Sequence, residues 1–323
     1  MIKESGHIHD ISSLTDQCIV VIRSAGERTS QWCLQKAKAT FGVENVVLID
    51  ERPMHKAIKR AFEIGIESDK TWLVEIDADM LLHQEGILQL LQTASQRPAN
   101  SFFHFGMVYD KLTNSFRSAG NKIIRTAHLP KALDLVPDTA GQLRPDTFVR
   151  KEMARKGFHY YRDICLVGIH DFEQDYFDLY RKGYLQGVKN RNKLERFMNN
   201  WPTDWKLDPD YVAVAGGMTA GKHHEHSLPL HPEYYIDKFK TWKNKVGFTA
   251  TKTVLDIDVT LADDILSSIL TDQKLQDFQR LCVGNKSRYH VRSDINWQYR
   301  LMKLGHRLSQ SNVVRRFITT KNI

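Results

Sequence analysis

Three groups of polar side chains follow short apolar segments in the N-terminal part of the sequence. They are the turn from Arg23 to Thr29, the pair Asp50-Glu51, and the triplet Asp77-Ala78-Asp79. Two aspartates separated by one residue at a strand end can both turn toward one hard cation. Mg²⁺ and Mn²⁺ prefer such oxygen ligands, together with the phosphates that share the ion. The pattern therefore predicts a metal site that neutralises charge on a leaving diphosphate.

The triplet at Asp77 also has a simpler explanation, because any acidic turn in contact with solvent can carry two aspartates at this spacing. Its position favours the metal site. The apolar run Trp72 to Ile76 precedes it, and Met80-Leu81-Leu82 follows it. In open α/β sheets, ligands bind beyond the carboxyl ends of the strands. Both interpretations remain open at the level of sequence.

The segments around these residues alternate between strand and helix patterns. Short β-branched runs predict buried strands, and apolar residues at helical spacing predict amphipathic helices. The predicted strands cover residues 18–22, 46–49, 72–76, 102–109, 116–125 and 160–169, and the predicted helices cover residues 30–41, 53–66, 84–96 and 172–184. This alternation predicts an α/β fold with a mostly parallel sheet flanked by helices.

The pattern changes beyond Trp201. The glycine-rich segment Gly216 to Gly221 predicts a loop, and the chain after it has mostly helical character. We expect a boundary near residue 225. It would separate a catalytic domain of residues 1–225 from a helical, basic region of residues 226–323.

The ordered set of motifs in residues 18–185 resembles the nucleotide-binding half of GT-A glycosyltransferases, of the family 2 type. The resemblance rests on the strand Ile19 to Ile22 with its turn, Val46 to Asp50, the helix Pro53 to Ile66, and the strand that ends in the DxD triplet. It implies a Rossmann-like sheet. It also implies transfer of a sugar from a nucleotide diphosphate sugar to a hydroxyl acceptor, a polysaccharide or a glycolipid. Glu75 departs from the more apolar strand expected before this motif.

The resemblance assigns roles to individual residues. It implies that Asp77 and Asp79 bind Mn²⁺ or Mg²⁺, with Asp79 as the direct ligand, and that Asp50 recognises the nucleoside. The residues that it implies around the nucleotide sugar are Arg23, Ala25, Glu27, Arg28, Asp77 and Ala78.

A downstream histidine commonly completes the metal shell in this family. His170 is the predicted ligand, because it follows the strand that ends at Ile169. His224 and His226 are alternatives from a later segment, although their spacing matches no structural zinc pattern. A histidine at a helix start that bonds only to the backbone is an equally open interpretation of His170.

An inverting transfer needs a carboxylate that accepts the proton of the acceptor hydroxyl. Asp171 is the predicted catalytic base, and Asp146 is the reserve candidate. Asp171 could equally be the N-cap of the following helix, where its oxygen would satisfy free N–H groups. A retaining enzyme would not need this base.

Composition limits the class of protein. The chain has 323 residues, 41% of them hydrophobic and 26% charged, which suffices for one large core or two modest ones. No apolar run reaches the length of about 18 residues that a membrane span needs. The polar N-terminus has no signal-peptide pattern, and the four scattered cysteines are typical of reduced core residues. We therefore expect a cytoplasmic protein, and its formal net charge of +8 favours polyanionic partners.

The chain from Lys286 onward is basic, with Asp294 as its only acid and with aromatic and aliphatic residues interleaved. A cationic amphipathic helix of this kind can lie on an anionic membrane surface, here the inner face. The alternative is a helix that packs its apolar side on the core. No nucleic-acid-binding motif accompanies the charge, so nucleic acid is not an expected partner.

Three other interpretations of the sequence were weighed. The segment Asp256 to Thr260 resembles the first motif of haloacid-dehalogenase phosphatases, but the short helical remainder of the chain makes coincidence the better interpretation. A nucleotidyltransferase would normally have a glycine-rich basic loop after the first strand, whereas Gly26 stands alone in this turn. A non-catalytic protein that binds nucleotide sugars or glycans also remains possible.

Overall fold

The computed structural model describes residues 11–138, 144–191, 194–224, 232–253 and 259–285. Within these residues the chain forms one eight-stranded sheet with helices on both faces. The strands are β1 (Cys18–Arg23), β2 (Val46–Ile49), β3 (Trp72–Asp77), β4 (Met80–Leu82), β5 (Ser101–Asp110), β6 (Ser115–Arg117), β7 (Asn121–Arg125) and β8 (His159–His170). The helices are α1 (Ile11–Thr15), α2 (Ser30–Phe41), α3 (Met54–Glu67), α4 (Gln84–Ser95), α5 (Leu129–Leu133), α6 (Pro145–Arg155), α7 (Tyr176–Lys189), α8 (Leu194–Met198), α9 (Pro209–Lys222), α10 (Pro232–Val246), α11 (Val259–Ile269) and α12 (Asp272–Asn285).

The strand order is β2-β1-β3-β7-β5-β8-β4, and β6 pairs with β5 outside this path. β1 lies parallel to β2 and β3, and β8 lies parallel to β5. β7 runs antiparallel between β3 and β5, and β4 runs antiparallel beside β8. Consequently β1, β2, β3, β5 and β8 all run in one direction. The predicted α/β fold with a mostly parallel sheet between helices is confirmed.

Alternate side chains of the central strands enter two hydrophobic cores, because successive residues of a strand point to opposite faces. Val20 and Ile22 of β1 belong to the core that includes α2 and α4. Ile19 and Val21 belong to the core that includes α3, α5 and α6. Burial on both faces explains why β1 is a continuous apolar run and not an alternating one.

Three elements differ from the sequence prediction. The strand predicted over residues 116–125 is two strands, β6 and β7, because the chain turns at Gly120, where φ is +65°. The helix predicted from Phe172 begins at Tyr176. The segment Gly216 to Gly221 was predicted as a loop, and this prediction was wrong, since it lies inside α9.

The glycines of α7 and α9 let the two helices touch through their backbones. A Cβ atom at Gly217 would lie 2.0 Å from the carbonyl oxygen of Tyr180, and one at Gly183 would lie 2.3 Å from that of Val214. Glycine has a low intrinsic helix propensity, but tertiary packing supplies most of the stability of a helix in a protein. This close packing explains why a glycine-rich segment is helical here.

The described residues after α9 are mostly helical, as predicted. Phe239 and Trp242 of α10 pack on Tyr180 of α7, and Leu266 of α11 packs near Trp32 of α2. No helix in the described part of the chain is long and apolar enough to cross a membrane.

Some predictions fall on parts of the chain that the structure does not describe. His226, the aspartates of the motif at Asp256, and the basic tail from Lys286 lie outside the described residues. The proposed membrane contact of the tail therefore stays a prediction, as does the boundary near residue 225.

The contact between α7 and α9 predicts an unusual effect of Gly217→Ala. In an ordinary helix interior this change stabilises by about 1 kcal/mol. Here the added methyl group meets backbone atoms that cannot turn aside, so we expect a loss of about 1–3 kcal/mol from overpacking. Urea unfolding measures it, with the exposed Thr219→Ala in the same helix as control. A Gly217→Ala variant at least as stable as the native chain would contradict this packing.

Candidate functional site

The DxD triplet is held in place by backbone and side-chain hydrogen bonds at the end of β3. The amide of Asp77 donates to the carbonyl of Gly120 (2.8 Å), and the amide of Ala78 donates to the carbonyl of Arg23 (3.0 Å). The hydroxyl of Thr29 donates to the carbonyl of Ala78 (2.8 Å). The triplet is thus fixed against the end of β1, the following turn and the start of β7.

His170 reaches the triplet through strand pairing. It is the last residue of β8, and its register partner in β4 is Met80, which directly follows Asp79. The amide of Asp171 then donates to the carbonyl of Asp79 (3.1 Å). These contacts bring His170 Nε2 to 3.4 Å from Asp79 Oδ1. The prediction that His170 would share the edge with the triplet agrees with this geometry.

Gly120 makes room for the imidazole ring. A Cβ atom at this position would lie 2.6 Å from Cδ2 of His170 and 2.7 Å from the sulfur of Met80. The positive φ of Gly120 also disfavours any side chain there. The turn between β6 and β7 is therefore shaped around the histidine.

The residues of this site fit a divalent cation. One ligand atom each from Asp77, Asp79 and His170 lie within 4.8 Å of one another. Oδ1 of Asp79 is buried and has no hydrogen-bond partner among the described residues. An unpartnered buried carboxylate oxygen is costly, and a cation would satisfy it. Two carboxylates and one imidazole suit Mn²⁺ or Mg²⁺.

Asp110 holds the other side of the imidazole ring. Its Oδ2 lies 2.9 Å from Nδ1 of His170 and accepts a hydrogen bond from Arg117, and its Oδ1 accepts two bonds from Thr113. Asp110, His170 and Asp171 also form a second group of potential ligand atoms. Hydrogen bonds from Arg117 and Thr113 fix the carboxylate of Asp110. It can therefore hold the imidazole of His170 in one orientation, as carboxylates behind metal-binding histidines do.

Lys182 of α7 enters the same site, and sequence reasoning missed it. Its ammonium group donates to Oδ2 of Asp79 and to Oδ1 of Asp171. Burial alone would lower the pKa of Lys182, but the charges of Asp171 and Asp79 outweigh burial and raise it. A lysine in an amphipathic helix carries no local sign of such a contact, so the sequence offered no signal for it.

His170 and Asp171 form a charged pair. Burial by itself would lower the pKa of His170, but the carboxylates of Asp171 and Asp79 raise it well above the ordinary value. Burial would raise the pKa of Asp171, whereas His170 and Lys182 hold it below its ordinary value. Each side chain thus favours the charged form of the other.

The predicted catalytic base lies in an unexpected setting. Asp171 is only 2% exposed at its side chain and is paired with His170 and Lys182. It is not the N-cap of α7, since Asp175 occupies that position. A carboxylate with a lowered pKa is a weak proton acceptor. The base role of Asp171 stays a prediction.

The reserve candidate, Asp146, lies beside a buried ionic network. Lys122 Nζ is 2.8 Å from Asp146 Oδ2 and 2.9 Å from Glu75 Oε2, and Arg23 is 3.2 Å from Glu75 Oε2 and 2.5 Å from Asp77 Oδ1. Burial would raise the pKa of Asp146, but Lys122 and Arg23 hold it below its ordinary value. Glu75, which departs from the expected apolar strand, faces Lys122 across the pairing of β3 and β7.

The turn after β1 is organised by Glu27. Its carboxylate accepts hydrogen bonds from the amide of Ala25 (2.6 Å) and the hydroxyl of Ser24 (3.2 Å). Burial, with the charge of Asp79 adding to it, raises the pKa of Glu27. The charge of Glu27 is thus coupled to that of Asp79, and its predicted place beside the nucleotide stays a prediction.

The remaining predicted contacts lie farther out. Arg28 pairs with Asp175 (2.9 Å) and lies 3.6 Å from Glu173, on the side of α7. Asp50 directly follows β2, and its side chain is 61% exposed next to Arg52. His224 does not approach the triplet but contacts the hydroxyl of Tyr184 through Nδ1. The structure therefore brings Arg23, Asp77, Asp79 and His170 together, and leaves Asp50 and Arg28 at the rim.

Comparison with known proteins identifies no family. No known protein family matches the chain. No curated protein sequence matches it either. One solved structure that is similar is described as the "crystal structure of a glycosyltransferase involved in the glycosylation of the major capsid of PBCV-1". It is 11% identical, covers 47% of this chain and 93% of its own, and has a TM-score of 0.33. Similarity at this level does not assign this chain to a family.

The ionic network beside the site predicts a large effect of Lys122→Met. The change leaves Glu75 in the sheet with Arg23 as its remaining cation, and we expect a loss of about 1–3 kcal/mol in the free energy of unfolding. The double variant Glu75→Gln/Lys122→Met should recover part of this loss, because it removes both charges. Denaturant unfolding of the native chain, Glu75→Gln, Lys122→Met and the double variant measures the coupling between the two side chains. Lys59→Met, which breaks an exposed pair with Asp138, is the control. Equal effects of the two lysine variants would contradict the network.

Proposed function

We propose that this protein is a metal-dependent glycosyltransferase of the GT-A type. It would move a sugar from a nucleotide diphosphate sugar to a hydroxyl of a glycan or glycolipid. One observation carries the proposal. Ligand atoms of Asp77, Asp79 and His170 converge within 4.8 Å beyond the end of β3, and Oδ1 of Asp79 is buried and accepts no hydrogen bond among the described residues. The donor class follows from what such a site binds well, a divalent ion shared with phosphates.

The chain's own residues would hold the ion and its ligands in fixed positions. Asp110 fixes the imidazole of His170 from behind, and Arg23 fixes Asp77 through Oδ1. A bound Mn²⁺ or Mg²⁺ supplies positive charge to a diphosphate as it leaves the sugar. Since these supports are made before any ligand arrives, little reorganisation is needed during transfer.

The surrounding residues set where the donor would lie. The turn that begins at Ser24 adjoins the triplet, and Asp50 stands exposed at the end of the neighbouring strand. We propose that Asp50 contacts the nucleoside and that the turn, with Ala25, Glu27 and Arg28, lines the nucleotide. Asp77 and Ala78 complete this wall. The spatial order from Asp50 to Asp79 follows the strand order β2-β1-β3.

Two carboxylates are proposed as alternatives for the proton acceptor of an inverting transfer. Asp171 touches the ligand set but is almost fully buried, whereas the side chain of Asp146 is 32% exposed. A base must come within hydrogen-bond reach of the acceptor hydroxyl. The greater accessibility of Asp146 supports it, and the contact with His170 supports Asp171. Activity of Asp171→Asn and Asp146→Asn would separate the two.

The turn after β1 disfavours a nucleotidyltransferase. In such enzymes, free backbone amides of a glycine-rich loop commonly cradle the phosphates. Here the amide of Ala25 is already bonded to the carboxylate of Glu27, and the amide of Gly26 is bonded to the hydroxyl of Ser24. Two amides that a phosphate-binding loop would leave free are thus already bonded within the turn.

Thermal unfolding with a panel of nucleoside diphosphates, each with and without Mn²⁺, tests the proposal. A ligand that binds only the folded state stabilises it by about 2.7 kcal/mol at a hundred times its dissociation constant. We expect a Mn²⁺-dependent rise in Tm with one nucleotide, and its loss in Asp79→Ala. Asp237→Ala, an exposed position on α10, is the matched control and should keep the rise.

The outcomes separate the candidate functions. A nucleotide shift together with Mn²⁺-dependent release of free sugar from the matching nucleotide sugar supports a transferase. A shift without any turnover, in the presence or absence of glycan acceptors, would favour the binding protein. No shift with any nucleotide would refute both.

A further inference from the structure

A lysine stands where a cation is expected. The ammonium group of Lys182 bridges Oδ2 of Asp79 and Oδ1 of Asp171, and its side chain is 16% exposed. The other oxygen of Asp79 lies 3.4 Å from His170 Nε2 and accepts no hydrogen bond among the described residues. One oxygen of the Asp79 carboxylate therefore binds the ammonium group of Lys182, and the other faces His170 in the proposed metal site.

The backbone that carries Lys182 is rigidly placed. The next residue, Gly183, would bring a Cβ atom within 2.3 Å of the carbonyl of Val214, so α7 lies against α9 at backbone contact. The preceding residue, Arg181, is paired with Asp178 one turn away (3.0 Å). We expect movement of the ammonium group to come from rotation of the lysine side chain, because α7 packs against α9 at backbone contact.

A divalent ion and an ammonium group on the same carboxylate repel one another. The repulsion is strong at a distance of a few ångströms in a partly buried site. Lys182 therefore weakens binding of a bare metal ion to Asp79. If the ammonium group finds another anion, however, the repulsion is relieved. A diphosphate bound to the same metal would be such an anion.

We propose that Lys182 neutralises Asp79 in the free protein, leaves Asp79 when the metal binds, and then donates to the diphosphate of the donor. The assignment of a diphosphate rests on the function proposed above. The consequence is a linkage between two ligands. The metal alone binds weakly, the metal and the diphosphate bind together tightly, and Lys182 is the residue that couples them.

Binding of Mn²⁺ measures this coupling directly. Electron paramagnetic resonance of free Mn²⁺ gives the affinity of the full chain, with and without inorganic pyrophosphate, at matched concentrations of free metal. For the native chain we expect pyrophosphate to tighten Mn²⁺ binding about tenfold, a usual size for linked sites. In Lys182→Met, Mn²⁺ alone should bind about tenfold more tightly, and pyrophosphate should add little.

Two further variants serve as controls. Lys222→Met removes a lysine from the exposed end of α9 and should behave as the native chain. Lys182→Arg keeps the positive charge and should keep the weak binding of Mn²⁺ alone. The tightening in Lys182→Met is the decisive result, since a residue that only supports the fold would weaken metal binding when removed. Binding of Mn²⁺ to Lys182→Met no tighter than to Lys222→Met would overturn the proposal.

Lys182→Met leaves Asp171 with one cation fewer, so its folding must be checked by circular dichroism. If Lys182→Met does not fold, the effect of pyrophosphate on Mn²⁺ binding by the native chain still tests the proposal. Unchanged affinity for Mn²⁺ in the presence of pyrophosphate would overturn the proposal, and a rise of about tenfold would support it.

The result is distinguishable from a failure of the proposed function. Tighter Mn²⁺ binding in Lys182→Met, with no response to any nucleotide, supports Lys182 as a competitor of the metal and refutes the glycosyltransferase. Metal-dependent nucleotide binding that Lys182→Met leaves unchanged supports the transferase and refutes this role of Lys182.

Discussion

Carboxylates buried at one end of the sheet impose the main constraint on this structure. A buried charge is tolerated only where an opposite charge and hydrogen bonds meet it. Four cations from different elements pair with these carboxylates. They are Arg23 of β1, Arg117 of β6, Lys122 of β7 and Lys182 of α7. Charge compensation thus links the sheet to the helices that follow it. Asp79 retains one oxygen that accepts no hydrogen bond among the described residues, and that exception is what makes the site a candidate for a cation.

The fold was largely predictable because its strands are buried on both faces and its helices are amphipathic. Such patterns are local, and β1, β2 and β3 follow them closely. The acidic triplet was predictable for the same reason, since strand-end residues of neighbouring parallel strands share an edge. His170 required one more step, namely that the strand before it ends at this edge. Its pairing with Met80 supplies the reason, because β4 directly continues from the triplet.

What the sequence did not indicate depends on contacts between distant segments. Lys182 lies 103 positions from Asp79, and nothing in its neighbours marks it as a site residue. Glu75 departs from the apolar pattern of its strand, which the sequence shows. Its partner Lys122 follows only from the register of β3 and β7, which the sequence does not show. The helix α9 was missed because propensity argues against glycine, whereas the close contact with α7 requires it. In each case a pairing in three dimensions overrides a local preference.

The position of β8 between β5 and β4 has a consequence for how this chain folds. Bringing distant segments together costs the entropy of closing a long loop, and this cost comes before the new contacts stabilise the chain. Until β8 and α7 dock, Asp77 and Asp79 lie beside each other without His170 or Lys182. Asp77 is then paired with Arg23 of β1, but Asp79 lacks its two cations in every arrangement in which the first strands are formed and the last is not. The acidic triplet therefore discourages partly folded states and favours all-or-none folding.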